Sequence, residues 1–329
     1  HIMARFVCAE KPGNADVLQV RDRPTPTPGP GEVLIEQTAI GLNFIDIYQT
    51  SGIYPFPENE LFVPGNEAAG RVMACGEGVT GFAEGDRVGY PMVVGAYAEE
   101  RIIPAAKLVR LPDNVSDEVA AASMLKGMTV EYLVNRSAHL SEGDVVLFHA
   151  AAGGVGLIAG QWLKHKGVTV IGTAGSAEKV TLAKQAGYDH VINYSEENFV
   201  DAVMDYTNGT GVKVVYDSVG KDTYPHSLKV LQNYGLLVSF GQSSGLASDF
   251  KISDLAPHGS LYLQRPTLGT YIATAERLAD VSANLFDMLA NDHLSISINQ
   301  RYDLADAAAA FEALTSRKTT GATIFTTGR

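Results

Sequence analysis

The stretch Phe148-His149-Ala150-Ala151-Ala152-Gly153-Gly154-Val155-Gly156 is where residue type and spacing in this chain first imply a chemistry. It follows the apolar run Val145–Phe148 and opens a helical pattern over 157–166. Glycines in such a turn let backbone approach a pyrophosphate, and the free N–H groups of a helix N-terminus offer positive charge without a side chain. A purely structural turn is the alternative. The preceding strand, the following helix and five further strand patterns favour a bound nucleotide.

In a dinucleotide site, the adenine ribose is read near the end of the next strand, about 20 residues on, where an acidic residue selects a free 2′-hydroxyl. Here that strand end is Gly172-Thr173-Ala174-Gly175-Ser176-Ala177-Glu178-Lys179, with no acid before the helix. A small hydroxyl, a helix start and a cation one turn in suit a 2′-phosphate, so NADPH is expected over NADH. Two roles stay open for Ser176 and Lys179: phosphate ligands, or a helix cap and a solvated charge. Tyr194, past the third strand, is placed to flank the same phosphate, and Ser218 and Phe240-Gly241 fall at strand ends where such sheets bind ligands.

The elements that must position these residues begin near 127. Apolar runs at Val145–Phe148, 168–172, His190–Asn193, 212–216, 235–240 and 260–263 alternate with helical patterns at 155–166, 177–186, 197–206 and 223–231. Continuous apolar strands separated by helices predict a parallel sheet covered on both faces, hence a doubly wound α/β fold of six strands. Before residue 125 the texture is different: short β-like runs at 5–9, 33–40, 69–74, Arg87–Tyr90, 96–103 and 108–111, broken by Gly and Pro, predict a small irregular β-barrel. The proline-rich stretch 24–31 reads as an exposed connection. The tail, with helices over 274–291 and 304–314 and a strand over 322–325, exceeds what the parallel sheet needs and is expected to pack back on the first domain.

At 329 residues the chain has room for about two domains. Its 25 Lys+Arg against 37 Asp+Glu give a net charge of −12, and with no basic stretch of consequence nucleic acid is a poor partner. Two cysteines, Cys8 and Cys75, make neither a disulfide framework nor a cysteine-rich zinc site and fit a reducing cytoplasm. The first residues lack the apolar core of a signal peptide, and His1-Ile2 before Met3 reads as a cloning remnant. The stretch 145–163 has no Asp, Glu, Lys or Arg, yet its glycines, His149 and Gln161 argue for strand plus helix over a membrane span.

Together with the glycine turn, a set of short motifs resembles the zinc-free, zeta-crystallin-like NADPH:quinone oxidoreductases of the medium-chain dehydrogenase/reductase superfamily over nearly the whole chain. They are Ala39-Ile40-Gly41-Leu42-Asn43-Phe44-Ile45-Asp46, Ser51-Gly52-Ile53-Tyr54-Pro55, Leu125-Lys126-Gly127-Met128-Thr129, Val215-Tyr216-Asp217-Ser218-Val219-Gly220, Val238-Ser239-Phe240-Gly241, Gly259-Ser260-Leu261-Tyr262 and Arg265-Pro266, with Arg317 in the tail. The resemblance implies a six-stranded Rossmann sheet inserted into a GroES-like β-barrel catalytic domain: 1–126 and 265–329 catalytic, 127–264 binding NADPH, and the active cleft at their junction. It also implies a homodimer, for which the apolar edge 260–263 is a candidate seam.

Where zinc alcohol dehydrogenases of that superfamily carry Cys, His and Cys on the metal, the matching positions look like Asn43, Asn66 and Lys126, a set suited to no zinc. Metal-free hydride transfer then implies an acceptor that is already electrophilic, such as a quinone, whose reduced anion is delocalised. By the same resemblance, Asn43, Tyr48, Tyr54 and Lys126 serve the nicotinamide and substrate. Asn43, Tyr132, Gly153, Gly154, Val155, Gly175, Ser176, Lys179, Tyr194, Ser218, Phe240, Gly241, Ser243, Arg265 and Arg317 form the NADPH site. Each has a structural alternative. Asn43 and Asp46 have the spacing of a helix cap, Tyr48 and Tyr54 stack on the substrate or donate a proton, Lys126 stabilises the anion or pairs with a carboxylate, Arg265 and Arg317 alternatively tie the two domains together, and His149 reads better as a hydrogen-bonded strand-end residue than as a catalyst. Glu131 and Gln49-Thr50 depart from the family pattern and leave the quinone open. An NADPH-dependent reductase of α,β-unsaturated carbonyls and a non-enzymic NADPH-binding protein are the competing functions.

Overall fold

The structure, a computed structural model, describes residues 3–329; His1 and Ile2, the expected cloning remnant, lie outside the described residues. The chain forms two compact units, one of residues up to 126 with 272–290 and 296–329, the other of 127–271 with 291–295. The first segment supplies β1 (Met3–Cys8), β2 (Gln19–Pro24), β3 (Glu32–Gly41), α1 (Phe44–Ser51), β4 (Ala68–Cys75), β5 (Arg87–Tyr90), β6 (Glu100–Pro104), β7 (Val109–Arg110) and α2 (Asp117–Asn135). Next come β8 (Val145–Phe148), α3 (Gly154–His165), β9 (Thr169–Ala174), α4 (Ala177–Gln185), β10 (His190–Asn193), α5 (Phe199–Tyr206), β11 (Val212–Asp217), α6 (Tyr224–Ser227), β12 (Leu231–Ser239), β13 (Tyr262–Gln264) and α7 (Leu268–Tyr271). The tail adds α8 (Ala275–Ala290), β14 (Ile298–Asp303), α9 (Ala307–Thr315) and β15 (Ala322–Thr326).

In the second unit the strand order is β10-β9-β8-β11-β12-β13, every pair parallel. Counted from β8 this is 3-2-1-4-5-6, the doubly wound order predicted from the alternating pattern. Leu147, Ile171, Ile192, Val215 and Leu237 point from successive strands into one core, which is why each of those strands reads as apolar throughout. The order reverses between β8 and β11, so the chain leaves Phe148 and Asp217 at the edge where such sheets bind ligands. The charge-free stretch 145–163 is β8, a turn and most of α3, and among the described residues no helix is long and apolar enough to cross a membrane.

In the first unit, a sheet ordered β14-β15-β3-β4-β5-β7, with β6 also on β3, builds the GroES-like fold, and β1 and β2 pair as a separate ribbon. The tail strand β15 lies antiparallel to β3, with Ile324 opposite Gly41, so the tail does complete the first domain's sheet. Tyr97 knits the two segments by packing edge-on against Phe325, centroids 5.0 Å apart, and against Phe311 of α9.

Several boundaries differ from the sequence expectation. β2 and β14 were not expected, because their outward residues are polar on one sheet face and their burial is partial. The helical pattern over 223–231 becomes one turn of α6, opened by a proline, followed by a 3-10 turn, and β12 starts at Leu231. The strand expected over 96–103 is regular only from Glu100.

Helix α3 reaches the α4–β10 connection through a glycine. A Cβ on Gly160 would stand 2.7 Å from Tyr188 Cδ2 and 2.8 Å from the Ala186 carbonyl oxygen. Gly160→Ala is therefore expected to lose about 1–3 kcal/mol of stability through overpacking, read as a lower urea midpoint with an unchanged m-value; an unshifted midpoint would refute the packing argument.

Candidate active site

The turn after β8 is built from backbone. Gly153 is the N-cap of α3 in an extended conformation with no side-chain cap, and the helical ladder starts where Leu157 N–H donates to the Gly153 carbonyl at 2.9 Å. The amides of Gly154, Val155 and Gly156 are thus those a helix leaves without internal partners. Ala150, in the left-handed region at φ +55°, reverses the chain and accepts from Gly153 N–H at 3.0 Å. A Cβ on Gly156 would strike the Ala150 carbonyl oxygen and lie 2.6 Å from that of Ala151, so only glycine lets the helix begin this close to the strand. Amides presented in this way suit a pyrophosphate.

At the end of β9, Ser176 caps α4 by accepting from Lys179 N–H at 3.3 Å. The cap leaves the hydroxyl proton and the Lys179 ammonium uncommitted, so the helix-cap role and the phosphate role are compatible. Tyr194 is exposed, and its ring lies over Gly175, where a Cβ would stand 2.9 Å from Tyr194 Cζ. Gly175, Ser176, Lys179 and Tyr194 thereby meet at one strand end. Across the reversal, Ser243 N–H donates to the Ser218 carbonyl at 3.1 Å, Phe240 N–H to the Asp217 carbonyl at 2.9 Å, and a Cβ on Gly241 would stand 2.9 Å from Ser218 O. Ser218, Phe240, Gly241 and Ser243 form a second cluster there. Tyr132 is buried and stacked on Tyr271 with centroids 4.4 Å apart, and burial pushes its hydroxyl well above the usual tyrosine range. Arg265 is exposed, with Nη1 donating to the Pro266 carbonyl at 2.7 Å.

His149 lies just past β8, buried, with Nδ1 2.9 Å from Thr173 Oγ1 and Nε2 3.0 Å from Ser227 Oγ. Ser227 Oγ–H donates in turn to Asp217 Oδ2 at 3.0 Å, and Asp217 also accepts from Val219 N–H, Gly220 N–H and Thr223 Oγ1. Burial holds the imidazole below its ordinary pKa, so it is neutral and joins β8, β9, β11 and α6. Its structural role as a strand-end residue accounts for every one of these bonds.

In the first unit, Asn43 precedes α1 with extended backbone, and its N–H donates to Asp46 Oδ2 at 3.0 Å. The expected cap is half realised: the carboxylate caps, while the Asn43 side chain turns instead to Lys126, whose Nζ donates to Asn43 Oδ1 at 2.9 Å. Asp46, fully buried, takes two more donors, Asn66 Nδ2 at 2.7 Å and the Tyr97 hydroxyl at 2.8 Å. Glu67 is also fully buried; its Oε2 accepts from Leu125 N–H at 3.0 Å, and the Asn43 side chain lies close enough to favour its anion, although Oε1 has no partner in good hydrogen-bond geometry. Asn43 Nδ2 and Asn66 Oδ1 are likewise buried and unpartnered. Tyr48 and Tyr54 meet edge to face with centroids 6.1 Å apart, and Phe44, half exposed, stacks on Tyr48 at 6.3 Å. Arg317 follows α9, exposed, with φ +60°.

Sequence reasoning weighed Asp46 only as a cap and gave Glu67, Tyr97, Asp217 and Ser227 no role. The usable signal was a charged residue inside an apolar strand approach: Asn66-Glu67 immediately before β4, and Asp217 closing the apolar β11.

Burial raises Asp46 to about 6 and Glu67 to about 8, against hydrogen bonds and the Lys126 charge that pull the other way. A carboxyl whose folded-state pKa is raised contributes stability that is complete below its unfolded pKa and lost as pH climbs through the folded one. Thermal stability should therefore fall between about pH 5 and 8, and Glu67→Gln should flatten the upper part of that fall; identical melting-against-pH slopes for the two proteins would refute it.

Comparison with known proteins agrees with this arrangement. Residues 154–285 match the zinc-binding dehydrogenase family model and 29–113 the alcohol dehydrogenase GroES-like domain. The chain is 47% identical to a quinone oxidoreductase of Pseudomonas aeruginosa over 98% of its length and 99% of the relative's. It is 41% identical to a 2-haloacrylate reductase of a Burkholderia species, with 98% of each covered. A crystal structure of the Escherichia coli quinone oxidoreductase complexed with NADPH superposes with a TM-score of 0.94 at 44% identity, covering 98% of this chain and 100% of that one. Turn, sheet order, GroES-like unit and full-length similarity together make the chain a member of the quinone oxidoreductase family within the medium-chain dehydrogenases and reductases.

Proposed function

We propose that the protein is an NADPH-dependent quinone oxidoreductase that works without a metal. The observation that carries the proposal is the Lys126–Asn43 pair, an ammonium 2.9 Å from an amide oxygen where the resembled zinc enzymes keep their metal ligands. Amides and an ammonium are poor partners for zinc, since the amine must lose its proton to bind and otherwise repels the ion. The donor set does not fit a zinc ion. NADPH, when bound, supplies the hydride. The chain's own contribution is to seat the pyrophosphate on the amides of Gly154, Val155 and Gly156 and the 2′-phosphate on Ser176, Lys179 and Tyr194. Ser218, Phe240, Gly241, Ser243, Tyr132, Arg265, Arg317 and Asn43 complete the cofactor site in this reading. Lys126 then offers positive charge to the oxygen of the reduced acceptor, and Tyr48 and Tyr54 stack on its ring.

The similarity to a 2-haloacrylate reductase favours one second reading, reduction of an electron-poor alkene on the same scaffold. That reaction needs a proton at carbon, from Lys126 or Tyr54. A cytoplasmic homodimer accompanies the main reading, supported by the exposed Tyr262 and Leu263 on edge strand β13 and by the low cysteine content.

Two measurements test the assignment. NADPH oxidation should be rapid with 9,10-phenanthrenequinone and slow with 2-chloroacrylate; turnover of the acrylate alone would transfer the protein to the second reading. In calorimetry NADPH should bind more tightly than NADH, and Lys179→Ala should weaken NADPH about tenfold while leaving NADH unchanged, as expected for one lost charge-assisted hydrogen bond. An unaltered preference would reduce Lys179 to surface charge.

A further inference from the structure

Two histidines of the second unit face each other at the far end of α3 from the glycine turn. His165 is the last residue of that helix, and His293 lies in the short segment 291–295, which belongs to the same unit. Their imidazole centroids are 4.1 Å apart with the ring planes at 33°, and both residues are exposed. The surroundings hold this contact in place. Gln161, one turn before His165 on the same face of α3, accepts from Ser295 N–H at 2.7 Å and donates through Nε2 to the Ser295 carbonyl at 3.2 Å. Leu294, between His293 and Ser295, is buried. A two-point amide clamp and an apolar anchor thus fix the backbone next to His293, the helix fixes that of His165, and the exposed rings keep their freedom at χ2. The neighbouring lysines are engaged elsewhere: Lys166 Nζ donates to Asn135 Oδ1 at 2.8 Å, and the Lys164 stem lies by Gly187, where a Cβ would stand 3.2 Å from Lys164 Cδ. Asp292 adjoins His293, and the C-terminal end of a helix is the negative end of its dipole, so the position favours a cation.

We propose that His165 and His293 form a surface site for one divalent transition-metal ion of tetragonal preference, copper(II) or nickel(II), with water completing the coordination. Neutral imidazole is a ligand for such ions, and the second imidazole binds within the molecule, which strengthens the pair over either ring alone. The ring spacing selects the geometry. An ion about 2.05 Å from nitrogen is about 3.2 Å from the ring centre, so two imidazoles at a right angle on one ion have centroids about 4.5 Å apart, against about 5.2 Å at the tetrahedral angle zinc prefers. The observed 4.1 Å is nearer the first, and a turn of the exposed rings supplies the difference. Among the described residues no group of three or more His, Cys, Asp or Glu could hold a metal, so the pair has no third protein ligand. Since α3 is 12 residues long, the ion would sit about 16 Å from the amides at the helix start. It would brace the 291–295 segment on α3 and take no part in hydride transfer.

Copper(II), nickel(II) and zinc(II) chlorides are the probes, titrated by calorimetry at about pH 7.5, where a free imidazole is mostly neutral. The proteins compared are the unaltered chain, His165→Gln and His293→Gln, both substitutions falling at exposed positions that leave the fold and NADPH oxidation unchanged. The unaltered protein should bind one equivalent of copper that each variant binds at least about tenfold more weakly. His1 is common to all three chains and cancels in the comparison. Equal copper binding by the three proteins overturns the proposal, and zinc held by the pair more tightly than nickel overturns its geometry. Proton NMR of the unaltered protein is a second readout that needs no variant. The ring signals of His165 and His293 should broaden together as copper is added, and broadening of one without the other overturns the shared site.

Discussion

Burying more carboxyls than the surroundings can solvate is the constraint on which the first unit's site is built. Water would satisfy both Asp46 and Glu67; the fold withholds it and supplies three donors to Asp46 and the Leu125 N–H to Glu67. Asp46 is fixed by the Tyr97 hydroxyl, and Tyr97 is itself fixed by Phe311 and Phe325 of the tail. The charge state of the cluster therefore depends on strands and helices brought together from opposite ends of the chain. Desolvation raises the pKa of both carboxyls toward neutral pH, Asp46 to about 6 and Glu67 to about 8.

The second unit solves a different problem with different means. Its candidate ligand edge is made from amides, glycines and a reversed turn at Ala150, held by a hydrogen-bonded chain from Thr173 through His149 and Ser227 to Asp217. Because Asp217 accepts four donors, its charge is solvated by the protein and need not be met by the ligand. In the proposed cofactor site, a negatively charged cofactor meets the helix amides and not that carboxylate. The strained Ala150 is affordable there because β8, β9 and β11 all hold the turn in place.

How much of this was legible in sequence follows from what leaves a local trace. β8 to β11 are buried on both faces and so read as unbroken apolar runs, and a glycine turn between strand and helix announces itself in a few residues. β2 and β14 left no such trace, since Gln19–Pro24 and Ile298–Asp303 alternate polar side chains toward solvent and gain their strand character from partners across the sheet. The 223–231 pattern has helical spacing, but Pro225 and the pull of the neighbouring β11 ladder convert its end to strand at Leu231. In the site, Asn43 and Lys126 came from a family resemblance, yet their contact joins residues 83 apart in sequence. Glu67 was hidden for a physical reason: a single glutamate beside two alanines is indistinguishable from a surface charge until the strand that follows it is seen to be buried.

The two kinds of recognition also differ in how easily they change. Pyrophosphate held by backbone amides is nearly independent of side-chain identity, because any residue with the right φ and ψ presents the same N–H. In the proposed function, acceptor chemistry rests on the side chains of Asn43, Lys126 and the Phe44–Tyr48–Tyr54 aromatic row, where a single exchange alters charge or shape. The chain is 47% identical to a quinone oxidoreductase and 41% identical to a 2-haloacrylate reductase, so relatives of nearly equal similarity are named for different acceptors. In the proposed function, divergence of substrate belongs on the side-chain surface and not on the cofactor turn.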